Sequence, residues 1–241
     1  MRLPRIAALA GAGMLFAGCT AGPGADSLTV LGASSTRLLR EDFGELGDGG
    51  FVFIDAGSST LVQQLADGSP GDVLITADRA NMDRAVAEGL VEDPRAVAVN
   101  SLVMVVPAGN PGEITSVDDL AGRTFILCDP RVPCGAASQE IIEDTGLRVE
   151  PSSLEHQVAD VLGKVVSGEA DAGWVYRTDA LSAGEAVEVI EIPDSDQHIT
   201  EVMAAVSTSA VDKQAAAEFV DALASEEMAG SWTRFGWTPA S

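Results

Sequence analysis

The chain has 241 residues, 46% hydrophobic and 21% charged, a mix that supports a packed core and excludes intrinsic disorder. Its 37 acids against 14 Lys and Arg leave a net charge of −23, which excludes a nucleic-acid partner, because neutralising phosphates requires clustered cations. Aromatics are only 5%, so the core must rest on aliphatic packing.

The N-terminus carries the pattern of an export signal. Arg2 and Arg5 form a positive segment, Ile6 to Phe16 an apolar one, and the small residues Ala17 and Gly18 precede Cys19. The apolar run is shorter than the roughly 20 residues of a permanent membrane span. Leu15-Phe16-Ala17-Gly18-Cys19 resembles a bacterial lipobox, whose Cys is lipidated and becomes the mature N-terminus, although Phe16 stands where that motif usually has Leu. A simple secretory signal with an incidental Cys is the alternative. The expectation is a signal peptide over 1–18 and, over 19–27, a lipidated Cys19 with a flexible Gly/Ala-rich tether. Loss of 1–18 removes two Arg and no acid, so −23 becomes −25.

Short apolar runs then alternate with helical patterns. Leu28 to Leu31 predicts a strand, Ser35 to Glu45 a helix, Phe51 to Ile54 a strand and Thr60 to Asp67 a helix. Asp72 to Thr76 and Arg79 to Glu88 repeat the pair, which is the signature of parallel βαβ units. The pattern restarts with a strand at Leu102 to Val106, a loop over Ala108 to Thr115 and a short helix at Ser116 to Leu120. Thr124 to Cys128 predicts a strand, and Ala136 to Thr145 and Gln157 to Ser167 predict helices. Strands follow at Ala172 to Tyr176, Val187 to Ile192 and Val202 to Val206, and helices at Val211 to Ser225 and Glu226 to Phe235. In the last region Ala216, Phe219, Val220 and Leu223 share a face. Two α/β lobes fit this order, one from 28–99 with 201–241 and the other from 100–200.

Besides Cys19 the chain has Cys128 and Cys134, and an even pair in an exported chain suggests a disulfide closing a short loop, with two free thiols as the alternative. His156 and His198 are the only histidines and show no metal-ligand spacing, so no metal cofactor is expected.

Ligands of open α/β sheets bind beyond the carboxyl ends of parallel strands. Gly32-Ala33-Ser34-Ser35-Thr36 and Ala56-Gly57-Ser58-Ser59-Thr60 fall at two such places. Unpaired N–H groups at helix starts, joined by hydroxyl donors, suit an anion without any Lys or Arg. Either cluster alone is more often a set of ordinary N-caps, and only the two together on successive turns bring the two readings level.

Longer strings carry a resemblance. Leu28 to Ser34, Ala56 to Leu61 with Gln63-Gln64-Leu65, Gly68 to Asp78 with Met82-Asp83, and Asn100 to Val103 resemble the periplasmic molybdate-binding proteins of ABC importers. So do Asp129-Pro130 with Val132 to Gly135, Val175 to Ala180, and Phe235 to Pro239. The resemblance implies a two-lobed periplasmic-binding-protein fold of type II, each lobe a mainly parallel sheet flanked by helices, with the ligand in the interlobe cleft. It implies an oxyanion held by the hydroxyls of Ser34, Ser58 and Tyr176 and by the main-chain N–H groups of Cys134 and Val158. It also implies molybdate or tungstate as ligand, no catalysis, and an ABC permease with a cytoplasmic ATPase as partner. The receptor is then expected to be a monomer at the outer face of the cell membrane, held by lipid on Cys19.

The chain departs from the family in two places. Only Arg131 lies between Pro130 and Val132, one residue fewer than usual, and Cys128 and Cys134 replace the usual Gly and Ala. Arg131 is expected to be solvated, and Asp72, Asp78 and Asp129 to be caps and braces, because acids facing a dianion would be costly. Two rivals remain: a receptor for another oxyanion such as sulfate, and a secreted hydrolase using Ser34 or Ser58. The latter lacks a G-x-S-x-G elbow and a triad setting for either histidine.

Overall fold

The computed structural model describes residues 27–47 and 49–240, so the expected signal peptide and Cys19 lie outside the described residues. The first half folds as β1 (Ser27–Ala33), a 3-10 turn (Ser34–Leu39), α1 (Arg40–Glu45), β2 (Gly50–Ala56), α2 (Ser58–Ala66), β3 (Val73–Thr76), α3 (Arg79–Ala87) and β4 (Val91–Asn100). The second sheet draws on β5 (Leu102–Pro107), β6 (Phe125–Cys128), β7 (Ser153–Glu155), β8 (Ala172–Tyr176) and β9 (Val187–Ile190). Between them run α4 (Pro133–Thr145), α5 (Val158–Val166) and α6 (Arg177–Ala183). The chain returns to the first sheet in β10 (Thr200–Ser207), then closes with α7 (Lys213–Leu223), α8 (Glu226–Arg234) and β11 (Thr238–Pro239).

Strand order is β11-β4-β10-β3-β1-β2 in the first sheet and β7-β6-β8-β5-β9 in the second. The result is a mixed α/β molecule built on two sheets. The expectation of mainly parallel sheets needs correction. β1 pairs parallel with β2 and β3, and β6 with β7 and β8, but β10, β4, β11, β5 and β9 all enter antiparallel pairs. β4 and β5, on either side of Ser101, pass from one sheet to the other without a helical crossover.

β4 has no counterpart in the sequence reading, and its chemistry explains why. Glu92-Asp93-Pro94-Arg95 reads as a charged turn, and Asp93 has φ 51°. The register with β10 shifts there, so Asp93 and Pro94 bulge out and the strand tolerates a proline that a regular ladder would exclude.

Alternating side chains of the first sheet feed two cores. Val30, Val73, Ile75 and Ala204 face Phe43, Phe219 and Trp232, while Leu31, Leu74 and Met203 face Leu61, Leu65 and Met82. Burying each such aliphatic or aromatic side chain is worth about 1.5–3 kcal/mol. This two-faced burial is why Val73 to Thr76 reads as an unbroken run with little polarity. In the second sheet the five residues Leu102 to Val106 are fully buried, and Phe125 meets Trp174 edge-on with centroids 5.7 Å apart.

Candidate functional site

The five residues expected at the ligand stand at strand-to-helix turns. Ser34 follows β1 and opens the 3-10 turn, Ser58 opens α2, Cys134 is the second residue of α4, Val158 opens α5, and Tyr176 ends β8 as the N-cap of α6. N–H groups in a first helical turn have no acceptor within the helix, so those of Ser58, Cys134 and Val158 are available to a ligand.

A cleft of about 300 Å³ runs between residues of both sheets. Val158 and Tyr176 line it directly. Ser34 and Cys134 do not, but their neighbours Ser35 and Pro133 do. Ser58 lies one bond behind: its Oγ accepts the N–H of Ala77, a lining residue, at 3.0 Å. That bond leaves the hydroxyl proton of Ser58 free to donate elsewhere. Burial raises the pKa of Tyr176, opposed in part by its hydrogen bond with Thr200, and the nearby carboxylates of Asp179 and Asp78 add smaller upward pushes. The phenol is thereby held protonated, as a donor must be.

Asp72, Asp78 and Asp129 brace the loops as expected, but Asp78 also lines the cleft. Asp72 accepts from the N–H groups of Thr29 at 2.7 Å and Val211 at 2.9 Å, tying β1 to the approach to α7. Asp78 caps α3 by accepting from the Asn81 N–H at 2.7 Å, and both its oxygens also receive the Asn81 side chain. Asp129 accepts Arg131 Nε at 2.8 Å and Nη2 at 2.7 Å, and these bonds hold its carboxyl far below the usual carboxylate range. Arg131 is 79% exposed in its side chain, so its charge is spent on Asp129 and on solvent.

Asp179 is the residue that sequence reasoning missed. It lines the cleft in the first turn of α6, and its Oδ2 is buried without a hydrogen-bond partner. Burial pushes its pKa up to about 6, with a backbone hydrogen bond at Tyr176 acting the other way. Asn100 and Thr200 also line the cleft from the segments that cross between the sheets, and Trp237 from the segment between α8 and β11. Only the string Thr178-Asp179-Ala180 marked Asp179 in the sequence, and it assigned no role.

Cys128 and Cys134 are joined by a disulfide, with Cα atoms 5.7 Å apart. Among the described residues no group of His, Cys, Asp and Glu is arranged to hold a metal ion. No described helix is long and apolar enough to cross a membrane.

The profile of the bacterial extracellular solute-binding proteins matches residues 45–238. The chain belongs to this family. As a solute-binding protein it is 41% identical over 185 residues to the molybdate-binding protein ModA of Mycobacterium tuberculosis, covering 73% of this chain and 71% of that protein. It is 29% identical over 196 residues to ModA of Escherichia coli, covering 76% of each. Its fold matches the substrate-binding domain of a putative molybdenum ABC transporter from Clostridium difficile, with a TM-score of 0.80 and 22% identity over 89% of this chain and 99% of that one. It also matches the sulfate-binding protein SubI of Mycobacterium tuberculosis, with a TM-score of 0.65 and 22% identity over 90% and 88% of the two chains. The solute-binding architecture therefore carries more than one oxyanion, and the choice among them must come from the site.

Proposed function

We propose that this solute-binding protein captures molybdate, with tungstate as a near-isosteric alternative, and delivers it to an ABC permease. The lobes formed by 28–99 with 201–241 and by 100–200 close on the dianion. Hydroxyls of Ser34, Ser58 and Tyr176 and N–H groups of Cys134 and Val158 replace its water. What carries the reading is the position of all five residues at strand-to-helix turns, with Val158 and Tyr176 on one cleft that both sheets line. The 41% identity to a named molybdate-binding protein adds the ligand. The protein acts without catalysis, as a monomer anchored outside the membrane by lipid on Cys19.

Neutral donors in a low-dielectric cleft hold a dianion without counter-charge, even in a chain of net charge −23. A dianion beside Asp179 favours its protonated form, which makes that carboxyl a further donor. Hydrogen phosphate brings a proton for which those five donors offer no acceptor, a mismatch of about 1–3 kcal/mol. Sulfate has no proton and is rejected by cavity size. Thermal shifts run side by side with molybdate, tungstate, sulfate and phosphate test this, since a tight ligand raises the melting temperature by linkage. The expected order places molybdate and tungstate well above sulfate and phosphate. A larger shift with sulfate would reassign the receptor.

A further inference from the structure

The end of α4 nearest the cleft is built differently from the other turns. β6 ends at Cys128 and α4 begins five residues later at Pro133, with Asp129, Pro130, Arg131 and Val132 between. Cys128 and Cys134 are buried and bonded to each other, closing this segment into a ring. Within the ring the Val132 N–H donates to the Asp129 carbonyl at 3.0 Å, and Arg131 grips the Asp129 carboxylate. Immediately after it, the N–H groups of Gly135 and Ala136 both donate to the Val132 carbonyl. The Cys134 N–H, second in the helix, has no acceptor there. A Cβ on Gly135 would sit 2.0 Å from the Asp129 carbonyl oxygen and 2.7 Å from that of Cys128. The first turn of α4 is therefore pressed onto the strand end, with Pro133 on the cleft wall.

We propose that the Cys128–Cys134 disulfide is a positioning element of the ligand site, so that affinity for the oxyanion depends on its redox state. This inference rests on the molybdate reading above for its ligand. The bond holds the Cα of Cys134 against β6 and with it the direction of its N–H, whereas the turn at Ser58 is tied by a hydrogen bond to Ala77 and no other turn at the site, among the described residues, carries a covalent tie. Reduction by an external dithiol moves two electrons and two protons: the S–S bond breaks, two thiols form, and the dithiol closes to its own disulfide. The segment of 129–133 is then held only by its short hydrogen bonds, and the donor at position 134 loses its fixed direction. Losing one well-aimed donor to a charged ligand corresponds to a change of about tenfold in Kd.

The test compares the full chain oxidised, reduced and alkylated, and as a C128S/C134S double variant. Calorimetry with sodium molybdate reads Kd, stopped flow reads dissociation, and hydrogen exchange reads the amides of 131–136 against those at the start of α5. The expected result is a Kd about tenfold weaker in the reduced forms, mostly through faster release. Exchange should quicken at 131–136 and stay unchanged at Val158. Equal Kd and release rates in oxidised and reduced protein, even with a lower melting temperature, would show a tie that serves stability alone and would overturn the inference. Failure of the oxidised protein to bind molybdate would instead sink the ligand assignment. In that event unchanged exchange at 131–136 on reduction overturns the positioning role independently.

Discussion

The two sheets meet the cleft with different chemistry. At the cleft the first sheet presents Ser35 and the acid Asp78, with Ser34 beside the wall and Ser58 one hydrogen bond behind it. The second sends a phenol, two helix-start N–H groups and a carboxyl, on turns shaped by a disulfide and by a glycine with no room for a side chain. On the reading proposed above, the first side is a set of rotatable donors that adapt to the ligand, and the second a set of fixed ones that define it. The only acid in the cleft with an unpartnered oxygen, among the described residues, belongs to the fixed side.

Changes on the fixed side should therefore cost most. Gly135→Ala places a methyl 2.0 Å from a backbone oxygen, which no rotamer relieves. The expected destabilisation is about 3 kcal/mol or more by chemical denaturation, with molybdate binding lost as the turn moves.

Asp179 comes next. Its pKa is raised to about 6 from 3.8, so its contribution to stability is fully present below about pH 4 and is lost as pH rises through about 6. Asp179→Asn should remove that loss, stabilising the apo protein near pH 8 by up to ~3 kcal/mol, and flatten its pH profile. Because the ligand is an anion, wild-type affinity should also fall between pH 6 and pH 8, and that slope should vanish in the variant. A wild-type affinity that does not vary with pH would remove Asp179 from the site.

On the adaptable side, Ser58→Ala strands the Ala77 N–H and removes the hydroxyl of a residue that is only 9% exposed. The expected cost is about 1–3 kcal/mol of stability together with weaker binding, read by denaturation and calorimetry. The smallest effect belongs to Arg131→Ala. Its guanidinium is exposed and occupied by Asp129, so molybdate affinity should change by less than about twofold, within the range of surface substitutions.

Much of this was legible in the sequence where local pattern and tertiary role agree. The runs at 28–31, 51–54, 72–76 and 172–176 read as strands because short apolar stretches bounded by turn residues mark them, whether buried on both faces as at 73–76 or partly exposed as at 51–54. The hydroxyl clusters after β1 and β2 read as an anion site because helix starts offer unpaired donors whatever the overall charge. β4 stayed hidden because its bulge places Asp93 and Pro94 in the middle of a strand. The parallel preference was overstated because antiparallel return strands such as β10 carry no local mark of their direction. Asn100, Thr200 and Trp237 reach the cleft from segments far apart in the chain, and Asp179 matters because of a partner it lacks. Neither property is written in a spacing.

The central claim is that uncharged donors from both sheets hold a doubly charged oxo-metalate in a strongly acidic protein. Its most direct test is a calorimetric titration of the purified, oxidised chain with molybdate at neutral pH. One site per chain with a micromolar or tighter Kd, little weakened by moderate salt because no formal charge pair is involved, is the expected result. No heat of binding at micromolar molybdate or tungstate would contradict it.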